Sequence, residues 1–382
     1  MKRITIIGAG FGALSTVREL RRHDKRSEIT LIAPRAELIY LPSLIWIPAR
    51  LRRSADLRID LTSFFETHGV RHIATRAVGI ENGGRRVLTD AGESVDNDGL
   101  VIATGGRFLK KLPGIEHAIT LCEGLDAARR IRDRLAGMDG GTIALGFGAN
   151  PKEPQAVRGG PMFELMFGLD SLLRRQGRRE RFKLVFFSGS ERPGARLGER
   201  AVDGLLREMR RRGIEARLGH KPVRFEADRV VTENAEFAAD LILFMPGMTG
   251  PDWAAEAGLP LSPGGLIQAD ERTRVAGVER VYVVGDSGSF PGPDWMPKQA
   301  HMADLQALAA ARNLLAELDG RAAQETFKTE LVCIIDTLQK GILVYRSPKR
   351  TLILPASRIF HWLKRAVEHH YLALYRKPKP PR

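Results

Sequence analysis

The chain has 382 residues, 43% of them hydrophobic, a net charge of +15 and a pI near 10.2. That length and apolar content can bury two cores of ordinary size, and the surplus charge favours anionic partners: lipid headgroups, nucleic acid or an anionic substrate. No helix-turn-helix, finger or RNA-binding motif accompanies the charge, which sets nucleic acid aside. The two cysteines, Cys122 and Cys333, form no CxxC and no metal-ligand spacing, and each fits as a small buried apolar group. No apolar run reaches membrane-spanning length, and the first strand begins almost at the N-terminus, which leaves no space for a signal peptide. Any membrane association is therefore expected from one side.

Ile4 to Ile7 reads as a buried parallel strand, followed by Gly8, Gly10 and Ala13 in the spacing G-x-G-x-x-A, then a helix and a second strand, Glu28 to Ala33. Gly8 permits the tight turn, Gly10 leaves room for a pyrophosphate, and Ala13 lets helix and strand pack closely. Free amides at the helix start, where Phe11 and Gly12 sit, face the phosphates. A dinucleotide site is expected here. The end of the second strand lacks the carboxylate that receives a ribose diol: Ala33 is followed by Pro34, Arg35 and Glu37. Glu37 is one substitute, and backbone groups with Arg35 are another. This disfavours NAD without by itself choosing FAD.

The segment Leu41-Pro42-Ser-Leu-Ile-Trp46 is apolar and aromatic, either core or the lining of a cavity beside a cofactor. A helix is expected over 60–68, a short strand over 70–74, and antiparallel strands flanking Asn82-Gly83-Gly84. Leu100 to Ile102 is a buried strand running into Ala103-Thr104-Gly105, which brings backbone close to a bound dinucleotide.

Thr142 to Gly148 opens a second strand-and-glycine unit, but Pro151 and Pro154 fall where its helix should start, so the helix is expected only around Pro161. The paired strand, Lys183 to Phe187, ends at Ser188-Gly189 with no ribose-binding acid. The layout is that of a second nucleotide domain whose site is lost. The helix from Ala201 to Arg212 is strongly basic and reads as a solvated face. Asp240 to Met245 is a further buried strand, and Val281 to Val284 ends in Gly285-Asp286, whose carboxylate can accept from a cofactor hydroxyl. Lys298 precedes a long helix whose free amides suit the pyrimidine edge of a flavin; Lys298 itself is either part of that site or a surface charge.

After Gln324 the character changes. Leu331 to Thr337, containing Cys333, reads as a strand paired with Gly341 to Tyr345. Ser357 to Tyr375 is helical with an apolar stripe of Phe360, Leu363, Val367, Tyr371 and Leu374, flanked by Arg358, Lys364, Arg365, Arg376, Lys377, Lys379 and Arg382, with Glu368 the one acid. It suits either a helix docked on the protein or on a second copy, or one lying in the headgroup plane of an anionic bilayer.

In this order the parts resemble the two-dinucleotide-domain flavoproteins, and within them the sulfide:quinone oxidoreductases and flavocytochrome c sulfide dehydrogenases. The resemblance rests on Gly8 to Ala13, Leu41 to Trp46, Ala103-Thr104-Gly105, Gly160-Pro-Met-Phe-Glu164, Val284-Gly285-Asp286, Pro297-Lys298-Gln299 and Cys333-Ile-Ile-Asp-Thr337. It implies an α/β fold of two Rossmann-like domains plus a C-terminal strand pair and an amphipathic membrane-surface helix. The implied division is 1–115 and 241–320 for the FAD domain, 116–240 for the second domain with its degenerate NAD site, and 321–382 for the redox strand and anchor.

The resemblance further implies non-covalent FAD, Cys333 as the flavin-proximal sulfur, and Glu164 as a proton-handling residue. The second family cysteine is missing: its position falls at Arg158 or a neighbour, and Cys122 matches an extra upstream cysteine of some members. The surplus of Arg and Lys is expected to favour a thiolate. Sulfide, or a related sulfur compound, and quinone are the implied partners, on the inner membrane surface, with a homo-oligomer allowed. The competing readings are an NAD(P)H:quinone oxidoreductase and a non-catalytic flavin-binding redox sensor.

Overall fold

The structure is a computed structural model that describes residues 1–380. Its first sheet is five-stranded and parallel, in the order Val281–Val283, Gly99–Ile102, Arg3–Ile7, Glu28–Ile32, Val70–Ile73. The central strands are apolar on both faces because both are covered, one by helices and the other by the antiparallel strands Ala77–Glu81, Arg86–Thr89 and Ser94–Asp96, whose Ile80 and Val87 share a core with Leu100, Ile102 and Val281. The helix Phe11–His23 covers one of them, and its small residues let it approach: a Cβ at Gly12 would come within 2.8 Å of Val284 and 3.7 Å of Ala303. The long helix Ala300–Leu318 therefore lies directly against the helix that follows the glycine turn.

A second five-stranded parallel sheet runs Ala118–Ile119, Leu241–Met245, Gly141–Phe147, Phe182–Ser188, Glu215–Leu218. Strand 241–245 thus belongs to this sheet, not to the return segment into which the division at residue 240 puts it; an alternating αβ unit needs that strand beside 141–147 to close its core. The chain crosses back only at Met248–Thr249, which pairs with Arg107–Phe108.

The C-terminal strands form an antiparallel sheet of three rather than two: Leu331–Asp336, Gly341–Ser347 and Arg350–Ser357. The third strand contains Pro355 and ends where Ser357 caps the last helix, its hydroxyl accepting from the Ile359 amide at 3.2 Å. Period-two alternation puts Leu331, Cys333, Ile335 and Val344 on the buried face.

The helix Arg358–Arg376 docks on the body with its apolar stripe only partly turned inward: Phe360, Tyr371 and Leu374 are half-buried against it, while Leu363 and Val367 face out. His361, Glu368, Leu372 and Tyr375 are buried, while Ile359, Trp362, Leu363 and Val367 are 72%, 61%, 43% and 50% exposed. The cause is a row of buried polar partners that outweighs the stripe. The Asp336 carboxylate accepts from Trp46 Nε1 at 3.1 Å, His361 Nδ1 at 2.6 Å and the Leu338 amide at 2.8 Å. Arg52 makes a two-pronged pair with Glu368, with bonds of 2.6 to 3.2 Å, and its guanidinium lies 4.9 Å from the centre of the Trp46 ring. Arg382 lies outside the described residues.

Removing one partner of a buried ionic cluster costs about 3–5 kcal/mol, since it strands the other. Asp336→Ala is expected to lower the unfolding free energy by about that much and to open residues 358–376 to proteolysis under native conditions. Unchanged cleavage and an unfolding midpoint equal to the wild type would show that the cluster does not hold the helix.

Candidate active site

The glycine turn places an open cradle at the C-terminal edge of the first sheet. Gly8, at φ +111°, presses on the Ala103 carbonyl, where any Cβ would collide. Gly10 is extended (φ −86°, ψ −169°) and faces space with no atom within 4 Å of a would-be Cβ. The helix that begins at Phe11 has no side-chain cap and no acid in its first turn, so its amides, those of Gly12 and Ala13 among them, stay open to an anion. Ser287 ties the neighbouring strand ends together: its hydroxyl pairs with Thr104 Oγ1 at 3.1 Å and lies 3.2 Å from the Gly105 carbonyl. The Gly285 amide is held by Gln306 Oε1 at 2.8 Å.

Asp286, Pro297, Lys298, Gln299 and Met302 line a cleft beside this cradle. One Asp286 oxygen pairs with Arg158; the other accepts nothing from the described residues. Gln299 Oε1 is buried without a partner, and the helix starting at Ala300 has no side-chain cap. An open phosphate cradle, a half-satisfied carboxylate and an orphaned amide oxygen fit FAD. Lys298 is buried rather than a surface charge: its ammonium donates to the Gly288 carbonyl and lies 5.5 Å from the Phe290 ring centre, and burial lowers it to about 8. Arg35 is exposed at the strand end and bonds Glu37 at 3.2 Å; Glu37 also faces Arg58 at 3.6 Å. Pro42 opens a short 3-10 helix, Leu41–Trp46, in which the Ser43 hydroxyl is buried and unpartnered.

On the far side of the site, the helix Gly160–Arg175 brings Glu164 against the Cys333 strand. Glu164 Oε2 accepts from the Asp336 amide at 3.3 Å and from Lys364, whose ammonium also donates to the Ile334 carbonyl at 3.2 Å. Burial pushes the Glu164 carboxyl up to about 7 against the lowering pull of Lys364. Both thiols are free and buried. Burial, then the Glu164 charge, pushes the Cys333 thiol up to about 12, with Lys364 pulling only partly the other way. The expected thiolate from the surplus of basic residues is thus overturned: most of those charges lie on the wet surface, where solvent screens them, and desolvation governs the buried sulfur. Burial raises Cys122 too, against the lowering effect of the Arg158 charge. Glu164 acts electrostatically on both sulfurs.

Arg158 is the residue whose surroundings sequence reasoning missed. It pairs with Asp286 inside the site, and its charge lowers the Cys122 thiol. Also missed were Trp46, His361 and Lys364, which join the C-terminal helix to the site. Their signal was present as polar residues three apart, His361 and Lys364 with Glu368 four further on, which the apolar stripe overshadowed. At the glycine turn of the second domain the Phe147 ring packs on Phe163 and Phe186 with centroids 5.6 and 6.0 Å apart, and a Cβ at Gly159 would lie 2.7 Å from it. Asn150 ties the intervening loop to the Met248 and Gly264 carbonyls at 2.8 and 2.9 Å.

The chain is similar along 97% of its length to the sulfide-quinone reductase of Aquifex aeolicus, at 23% identity and covering 90% of that protein. It is 26% identical to an NADH dehydrogenase-like protein of Mycobacterium tuberculosis, with 75% of this chain and 72% of that one covered. The solved Aquifex aeolicus sulfide:quinone oxidoreductase superposes with a TM-score of 0.89 at 22% identity, over 98% of this chain and 92% of that one. The NDH2 structure from Plasmodium falciparum gives 0.75 at 12% identity, over 98% and 96%. These two structures share the fold: paired parallel sheets in α/β layers. The family model described as pyridine nucleotide-disulphide oxidoreductase matches residues 2–307. The chain belongs to that family, and so to the FAD-dependent oxidoreductases that move electrons two at a time.

Proposed function

We propose that this protein takes two electrons from sulfide, or a related sulfur compound, at Cys333 and passes them by way of FAD to a membrane quinone. The observation that supports the reading is the buried cluster in which Glu164 and Lys364 pair with each other and with the backbone of the Cys333 strand at Asp336 and Ile334, within electrostatic reach of the thiol. When bound, FAD supplies reversible two-electron chemistry toward both sulfur and quinone. Residues 8–13, 103–105, 285–286 and 298–302 would hold it.

The chain's own residues supply position, protons and field. Cys333 carries the sulfur. Glu164, with its carboxyl near 7, holds the proton that a thiol or hydrogen sulfide gives up, and Lys364 orients it. Cys122 is the second candidate sulfur, with its thiol lowered by the Arg158 charge where the family's own second cysteine is missing. The outward face of Arg358–Arg376, with Ile359, Trp362, Leu363 and Val367 bordered by Arg358 and Arg365, supports a one-sided seat on an anionic bilayer. No helix among the described residues is long and apolar enough to cross a membrane. Against NAD(P)H as donor stand the Phe147 ring and the pinned loop at the second glycine turn.

Anaerobic sulfide is expected to bleach the flavin band of the purified protein, and Cys333→Ser to abolish the bleaching while FAD stays bound. Fast bleaching by NADH with sulfide inert would replace this reading by the nicotinamide one. Because the Glu164 carboxyl titrates above its ordinary value, its protonated form prevails below about pH 7. The same preference makes its contribution to stability largest at acid pH and lost as pH rises through about 7. Reduction of the flavin by sulfide is expected to rise as pH rises through that range, where Glu164 becomes free to accept a proton, and Glu164→Gln to flatten the profile; a parallel, equally steep profile in the variant would remove Glu164 from the proton path. Ile359→Ser with Trp362→Ser is expected to weaken co-sedimentation with anionic vesicles by about tenfold or more; undiminished binding would move the membrane seat elsewhere.

A further inference from the structure

Resting on the FAD reading above, we propose that the C-terminal helix is part of the cofactor site, with Tyr371 a positioning residue that holds the phosphate-binding turn through the Phe11 ring and the Asp304 carboxyl. Phe11 is the first residue of the helix after the glycine turn, flanked by Gly10 and Gly12, with no side-chain cap to fix it. Local sequence therefore does little to hold this turn in shape. Its support comes from far away in the chain. The Phe11 ring packs on Tyr371 with centroids 5.4 Å apart and on Tyr40 at 5.9 Å, and Tyr40 and Tyr371 close the triangle at 5.6 Å.

The hydroxyl of the same tyrosine makes the second connection. Tyr371 donates to Asp304 Oδ1 at 3.2 Å, and Ser15 Oγ donates to that oxygen at 2.6 Å. Ser15 lies one turn on from Phe11, on the same face of its helix. Asp304 lies one turn inside the helix Ala300–Leu318, whose open amides border the Asp286 cleft. Tyr375 backs the arrangement, its hydroxyl 3.4 Å from that of Tyr371. One side chain of the C-terminal helix thus joins the two helix starts between which a dinucleotide would lie. Asp304 is half of that joint: a carboxyl served by two hydroxyls, with no Arg or Lys bonded to it among the described residues, held up to about 6 by burial. Tyr371 touches neither the cradle over Gly10 nor the Asp286 cleft, so it acts on them only through Phe11 and Asp304.

The test compares FAD affinity of the full-length apoprotein, read from quenching of free FAD fluorescence, with the rise in Tm that FAD produces. Wild type must first bind FAD; if it does not, the flavin reading itself fails, and this inference with it. Tyr371→Ala is expected to weaken FAD binding by about tenfold or more and to shrink the FAD-induced rise in Tm. Tyr371→Phe, which keeps the ring, and Asp304→Asn are expected to weaken binding by about threefold. A merely structural tyrosine would lower the Tm of apo and FAD-bound protein alike and leave affinity within twofold of wild type, which would overturn the proposal. Should Tyr371→Ala fail to fold, the two milder variants decide: unchanged affinity in both overturns it.

Discussion

A carboxylate with no exposure has to be fully served by donors, or the fold loses several kcal/mol. Asp336 is that carboxylate, and its donors come from three separate parts of the chain: Trp46 from the first domain, His361 from the last helix and the Leu338 amide from its own turn. The satisfaction of this one group fixes how the C-terminal sheet sits on the body. Cys333 lies three residues earlier on the same strand, facing inward, and the backbone amide of Asp336 reaches Glu164. The thiol, the Glu164 carboxyl and the outer helix are therefore placed together, and none can shift without disturbing the others.

Burial also decides how this centre is charged. A chain with a net charge of +15 suggests sulfur held as an anion, yet both thiols stand above their ordinary pKa. The relevant field is that of groups inside the cavity: Lys364 is engaged with Glu164, and Arg158 with Asp286. Arg158 is a departure in kind. A guanidinium cannot exchange with a disulfide; here it pairs with the Asp286 carboxylate, and its charge pulls the Cys122 thiol down against burial.

The first domain was legible because its signals are local: a strand, a G-x-G-x-x-A turn and a helix follow one another in sequence, and each apolar run forms the strand it announces. The delayed helix start at Gly160 was legible for the same reason, since Pro151 and Pro154 forbid an earlier one. What was not legible lay in contacts between distant residues. The rotation of the last helix follows from partners such as Arg52 and Asp336, which no window around residues 358–376 contains. The third C-terminal strand was missed because Pro355 interrupts its pattern, and the position of 241–245 because a buried parallel strand reads the same in either sheet.

That proline has a bearing on how copies of the chain meet. Arg350–Ser357 is the outermost strand of its sheet, with one edge bearing no partner strand among the described residues. An open ladder of amides and carbonyls invites a foreign strand to zip on. Pro355 removes one amide from that strand, and Arg350 sets a charge at its start. Accretion strand by strand is thereby discouraged where apolar side chains such as Leu352 lie uncovered.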